Sequence, residues 1–398
     1  MQKDKALQQQ LYTIAFVVLS IKNVLDSSHL FSRPEWLDTL FLLTFFACMG
    51  WKFFLQRYTV KSLIITGVFG LLFAYISVRM SYFFLLFSFC GIAGMQDVDL
   101  KKVLRFTSIT KILMILLHVI PYLVTLVILP EQIVYVYREG VQRHYFYIGH
   151  PNTFSMYVGW TLLEFTFAFY ESISTIGLVI FWLINFVVYR FTDSNTSIIV
   201  ATVTYTLCIW ERSKPQIVAK IVTPIARYIY MVLAIFFTVL TICFSSMPTA
   251  IRSFYLMLND FMTGRLLFGS FAYDTFGIAW LGNPGVYLGK TTYYQGFWVD
   301  TLVFDNTYIY LLVYYGALIL PVFSIAFALI GKDKERDVKR NVTKILIIAY
   351  GLFAIMENYA NNAVLCFPLL FIGEALYTKY EEVIEQKKMK RKKACVSN

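Results

Sequence analysis

Charge is what this sequence has least of. Only 15% of its 398 residues are Asp, Glu, Lys or Arg and 58% are hydrophobic, whereas soluble domains carry about 25% charge. A chain so poor in charge cannot clothe a water-facing surface, which excludes an ordinary soluble enzyme or regulator. Cysteine is sparse as well. Cys48, Cys90, Cys208, Cys243, Cys366 and Cys395 are scattered, mostly in apolar runs, without metal-ligand spacing or a disulfide framework, and read as small core residues. No acidic cluster on the outer side has the look of a metal site, and no internal repeat or low-complexity segment is visible.

What is present is a succession of apolar stretches of membrane-spanning length along the whole chain, with a mean hydropathy of +0.63. About twelve candidate spans begin near Leu11, Trp36, Ser62, Ser81, Ile112 and Thr153, then near Ser172, Thr196, Tyr228, Leu302, Thr343 and Asn362. The expected fold class is an all-α polytopic membrane protein, with residues 1–398 forming a single integral membrane domain. Leu11–Leu25 follows Lys3 and Lys5 as a signal peptide would. No small-residue cleavage site follows it, so a retained helix interrupted by Lys22 is expected.

The net charge of +11 points to the membrane rather than to nucleic acid because of where it lies. Lys and Arg concentrate at the N-terminus, in segments 52–61, 101–111, 211–227 and 332–344, and in the tail 379–398. The other side keeps Arg33, Arg79, Arg138, Arg143, Arg190, Arg252, Arg265 and Lys290. By the positive-inside rule both termini face the cytoplasm, and the run Lys387–Lys393 is an anchor at anionic lipid.

Two outer segments are long, 130–150 and 248–301, and connections of that length are generally functional or disordered. Arg138–Asn152 is cationic and aromatic and sits between apolar runs. Pro151 suits the first position of a helix, whose positive end would then favour an anionic ligand at this loop. Arg138 and Arg143, with Arg252 and Arg265 in the second segment, are candidate phosphate ligands, or ordinary headgroup arginines. His150 is a candidate acid or base, or a helix cap, and Asn152 a sugar ligand or a turn former. Asp193-Ser194-Asn195-Thr196 and Asp305-Asn306 both suit N-caps, or could orient an acceptor hydroxyl.

Glu164 and His118 fall inside apolar spans, so each needs a partner or a role. Glu357, with Asn358, Asn361 and Asn362, belongs to a short turn between the last two spans, as a polar turn or as the lining of a cavity. Asp97-Val98-Asp99 looks like a nucleotide-sugar motif but lies in a short basic loop with no domain around it. The second outer segment, rich in glycine and crowded with Trp280, Tyr287, Tyr293, Tyr294 and Trp298, fits a folded, turn-rich lid better than a solvated linker.

Arg143, Gly149-His150-Pro151-Asn152, Asp193-Ser194-Asn195-Thr196, Gly264-Arg265 and Asp305-Asn306-Thr307-Tyr308 occur in this order, with the many-span layout and the large late outer loop. In this the chain resembles the Wzy-type polysaccharide polymerases, relatives of the O-antigen ligases. It departs at Asn195, where the family pattern often carries arginine; either that arginine is dispensable or Arg190 replaces it.

The resemblance implies a GT-C-like fold and a metal-independent glycosyltransferase in a bacterial cytoplasmic membrane. It would polymerise undecaprenyl-pyrophosphate-linked oligosaccharide repeat units at the outer face, for capsule, exopolysaccharide or O-antigen, alongside other polysaccharide assembly proteins. No cofactor is implied. Arg143 and Arg265 would stabilise the pyrophosphate leaving group, with His150 first and Asp305 second as base. Arg138, Asn152, Asp193, Arg252, Asn306 and Glu357 would hold substrate. A ligase using nearly the same residues, or a lipid-linked glycan transporter gated by Glu164 and His118, are the alternatives.

Overall fold

The computed structural model describes residues 2–286, 291–294, 296–299, 304–330 and 340–377. The basic tail 379–398, Cys395, Tyr287, Lys290, the start of the tenth span at Leu302 and most of segment 332–344 lie outside the described residues.

The described chain is overwhelmingly helical. The first half contains α1 (Gln2–Asp26), α2 (Glu35–Leu55), α3 (Val60–Met80), α4 (Phe84–Ala93) and α5 (Leu100–Ile128). A hairpin, β1 (Val136–Arg138) and β2 (Val141–Arg143), precedes α6 (Pro151–Phe169), α7 (Thr175–Thr192), α8 (Asn195–Ser213) and α9 (Pro215–Cys243). Then come α10 (Thr249–Phe261), α11 (Arg265–Phe276), a second hairpin of β3 (Thr292–Tyr294) and β4 (Phe297–Val299), α12 (Thr307–Tyr310), α13 (Ile319–Ile330) and α14 (Asn341–Met356). The last apolar helix, α15, is Phe367–Tyr377. Among the described residues, five helices (α2, α3, α5, α7 and α9, the last extended to Ser246) are long and apolar enough to cross a membrane.

The core is built around α6 and α14. Every residue of α6 from Phe154 to Glu164 is buried, as is every residue of α14 from Ile345 to Gly351. A helix apolar on all faces has to lie inside a bundle, and α5, α7, α8 and α14 surround α6. The ionisable groups inside this core are paired. Lys111 donates to Glu164 Oε2 at 2.5 Å and to the Val364 carbonyl, while the Thr107 hydroxyl donates to Glu164 Oε1. His118 Nδ1 donates to the Met114 carbonyl at 2.7 Å and its Nε2 meets the Ser28 hydroxyl at 2.8 Å.

Several sequence expectations need correction. Segments 101–111 and 211–227, read as connections, are helical: α5 starts at Leu100 and α9 at Pro215. In α9 the buried Val218, Ala219, Val222, Thr223, Ala226 and Tyr230 repeat at helical spacing while Lys220 faces out. A hydropathy run stops at the first charge, whereas an amphipathic helix does not. Segment 248–301, expected to be turn-rich, is helical from Thr249 to Phe276 apart from the turn at 262–264. Cys243 is exposed and Cys48 half-buried, so neither is a core residue; Cys90, Cys208 and Cys366 are. Asp97 and Asp99 have local roles, Asp97 in an ion pair with Lys5 and Asp99 capping α5 through the Lys102 N–H.

Two late helices are broken. α12 passes into a π-turn, Leu311–Tyr315, and stops at Gly316, whose φ is +104°. A Cβ there would lie 2.6 Å from the Trp280 carbonyl oxygen, so only glycine fits. The chain at 279–283 runs alongside and bonds the freed backbone: Gly282 N donates to the Tyr315 carbonyl and Ala317 N to the Ala279 carbonyl, at 2.8 and 2.9 Å. The last span, expected from Asn362, becomes helical only at Phe367. Between α14 and α15 the irregular backbone is buried, and neighbouring side chains satisfy its carbonyls. Tyr350 donates to Ala360, Ser88 to Asn361, and Lys111 to Val364. Irregular backbone at membrane depth persists only where protein surrounds and bonds it.

Candidate functional site

The first group of predicted residues gathers at the start of α6. Glu139 and Gly140 both have positive φ, which makes the tight turn that folds β1 back onto β2. Arg143, at the end of β2, then points inward and is only 3% exposed. Its Nε donates to the Thr192 carbonyl at 2.6 Å, and one amino group reaches Asn152 Oδ1 at 2.5 Å. One guanidinium thereby ties the hairpin, the end of α7 and the first turn of α6 together.

His150 caps α6: its Nδ1 accepts from the Asn152 N–H at 3.3 Å. In the neutral ring the proton therefore sits on Nε2, and His150 offers a donor rather than an acceptor. Burial, with Arg143 and Arg138 nearby, pushes this imidazole below its usual range. Asp193, expected as an N-cap of α8, instead ends α7 in the left-handed conformation with φ 49°, and Ser194 takes the N-cap position without a side-chain bond. A short polar side chain tolerates that conformation.

The second group forms where the two broken helices meet. Arg265 opens α11 after Thr263 and Gly264, both at positive φ. Its guanidinium donates to the Met262 carbonyl and the Thr263 hydroxyl, and pairs with Asp305 at 3.3 Å. Its Nε is buried and has no hydrogen-bond partner among the described residues. Asn306 caps α12, accepting from Ile309 N at 3.1 Å and donating to the Ile355 carbonyl at 2.9 Å. The Thr307 hydroxyl donates to the Glu357 carbonyl. These bonds stitch the start of α12 to the end of α14 and set Asp305 against Glu357.

Glu357 is 5% exposed, and among the described residues none donates a hydrogen bond to its carboxylate. Burial raises it, the neighbouring Asp305 raises it further and Arg265 opposes, leaving it at about 8. Burial also raises Asp305, against the pull of Arg265.

Tyr359 lies between the two groups, near enough to Thr153, Glu357 and Asp305 for each to act on its hydroxyl. Neither Thr153 nor Tyr359 was singled out in the sequence. The signal available was position alone, one beside Asn152 and the other inside the polar run that begins at Glu357. Arg138 stays on the hairpin, near enough to act on Arg143 and His150. Arg252 lies apart on α10, its guanidinium 5.1 Å above the Phe244 ring. Trp280, Tyr293 and Trp298 are exposed, the last two packed edge to face, whereas Tyr294 turns its hydroxyl onto Asp274.

A cavity of ≈ 620 Å³ lined by Lys101, Tyr170, Glu211, Arg340, Lys344 and Glu374 lies elsewhere. It sits at the start of α5 and α14 and the end of α6 and α8, the opposite end of the bundle from these residues. What the two groups provide chemically is a buried cation, an imidazole whose Nε2–H can donate, and two neighbouring carboxyls whose proton affinity burial raises. Comparison with protein-family models, with curated proteins and with solved structures gives no match.

Proposed function

We propose that the chain is a membrane-embedded glycosyltransferase that polymerises polyprenyl-pyrophosphate-linked oligosaccharide repeats, as its resemblance to the Wzy-type polymerases implies. The observation that carries this reading is the Arg265–Asp305–Glu357 group, assembled where two helices break. Breaking a helix exposes backbone at a cost, and such breaks inside a membrane bundle accompany binding sites.

The division of labour follows from the bonds already made. Arg265 keeps an Nε that no described residue engages and is fixed from behind by Met262 and Thr263, so it stabilises charge developing on the leaving pyrophosphate. Arg143 commits Nε and one amino group to the scaffold and keeps Nη1 outside those bonds, which makes it chiefly a holder of the α6 start. His150 offers Nε2–H to a phosphate or sugar oxygen, and Asn152 and Asn306 order the two helix starts. Arg252 and the exposed Tyr293–Trp298 pair would meet glycan further out.

Twelve crossings, the GT-C-like relationship, cytoplasmic termini and a site at the outer face of a bacterial cytoplasmic membrane belong to this same reading. It is supported by the Lys/Arg-poor end of the bundle being the end that carries the site. Interrupted helices are also a feature of transporters, so the assay needs two arms. Reconstituted protein is given a lipid-linked repeat unit, and both products and transbilayer movement are followed. Longer glycans in a ladder support the polymerase. A single addition to a different acceptor identifies a ligase. Movement of unchanged substrate identifies a transporter.

A further inference from the structure

Glycosyl transfer needs a group to take the acceptor's proton, and the two residues first expected to do so are unsuited. The His150 Nδ1 lone pair is occupied by the Asn152 N–H, so its neutral ring has only a donor to offer. Asp305 is paired with the Arg265 guanidinium at 3.3 Å, so its carboxylate is already committed to a cation. Glu357 has neither constraint. It ends α14, is held at its carbonyl by Thr307, and no described side chain donates to its carboxylate.

We propose that Glu357 is the catalytic base of this site, a role that rests on the glycosyltransferase reading above. The acceptor hydroxyl oxygen bonds to the donor's anomeric carbon while the bond from that carbon to the pyrophosphate oxygen breaks. The bonding pair leaves with the lipid pyrophosphate beside Arg265. The hydroxyl proton passes to the Glu357 carboxylate and then to water before the next turnover. The charged and titratable groups that face Glu357 are Asp305 on the approach to α12, Arg265 on α11, Tyr359 in the following turn and Cys366 before α15. A base works best when its affinity for the proton is near the working pH, and burial beside Asp305 brings this carboxyl there.

The test uses reconstituted full-length protein and a lipid-linked repeat unit, with rates measured across pH. Wild type is expected to gain turnover as pH rises to about 8 and to level off above it. Glu357→Gln is expected to lose the limb and about 10²–10⁴-fold in kcat, while Glu357→Asp, which keeps a base, retains part of both. An infrared titration of the protein supplies a readout independent of turnover: a protonated carboxyl band that disappears near pH 8 in wild type and is absent in Glu357→Gln. A wild-type ladder with an unchanged limb in Glu357→Gln, or no carboxyl titrating in that range, overturns the assignment and leaves the transferase reading intact. No ladder at any pH removes the transferase reading, and the assignment with it.

Discussion

The Asn306 side-chain nitrogen lies 2.9 Å from the Ile355 carbonyl oxygen, while its Oδ1 accepts from Ile309 N at 3.1 Å. One amide thus caps α12 and satisfies the end of α14, and it fixes Asp305 relative to Glu357. Asn306→Ala is expected to cost about 1–3 kcal/mol, a lost cap plus an orphaned buried carbonyl. It should also lower kcat more than it raises KM, because the two carboxyls lose their register. Thermal unfolding and steady-state rates on the same preparations check both.

The Lys111–Glu164 pair makes a different prediction, because it is buried and fully bonded. Removing one partner leaves an uncompensated charge, so Lys111→Met is expected to destabilise by about 3–5 kcal/mol. The double variant Lys111→Met with Glu164→Leu should recover most of that loss. Denaturation midpoints of the single and double variants decide it; equal losses in both would mean the pair is not the source of the effect.

Arg143→Lys keeps the charge but cannot reach the Thr192 carbonyl and Asn152 Oδ1 together. Destabilisation of about 1–3 kcal/mol is expected, with slower turnover because the start of α6 loosens. A lysine variant equal to wild type in melting temperature and rate would show that charge alone matters at this position.

Glu357 also links stability to pH. In the native state it holds its proton up to about 8, while the unfolded chain releases it near the ordinary 4.5. The native state therefore binds more protons across that window, and stability falls as pH rises through it. Asp305, also raised, acts in the same direction. Glu357→Gln is expected to melt higher than wild type at pH 7–8.5, above the imidazole range, and to show a flatter pH dependence while losing activity. A functional group held at a cost in stability behaves this way.

The residues of the site were legible as types and the assembly was not. Arg265, Asp305, Asn306 and Glu357 stood out because polar side chains are rare in so apolar a chain. Nothing local said that Asn306 would bond across to Ile355, or Thr307 to the Glu357 carbonyl; those contacts join elements far apart in sequence. The helix breaks were hidden for the opposite reason. Leu311–Tyr315 and Ala363–Cys366 are apolar and read as uninterrupted span, yet one passes through a π-turn into Gly316 and the other is irregular. Hydropathy reports burial, and burial does not distinguish a helix from backbone held by Tyr350, Ser88 and Lys111. Charge misled in the same way at Lys220, which a helix carries on its outer face.

The most direct measurement compares the products that wild type, Arg265→Ala and Asp305→Asn make from one defined lipid-linked repeat unit, with folding verified by thermal unfolding. Glycosyl transfer at the Arg265–Asp305–Glu357 group predicts a ladder of lengthened glycans from wild type and its loss in both variants. A ladder of undiminished length and rate from both folded variants would contradict it.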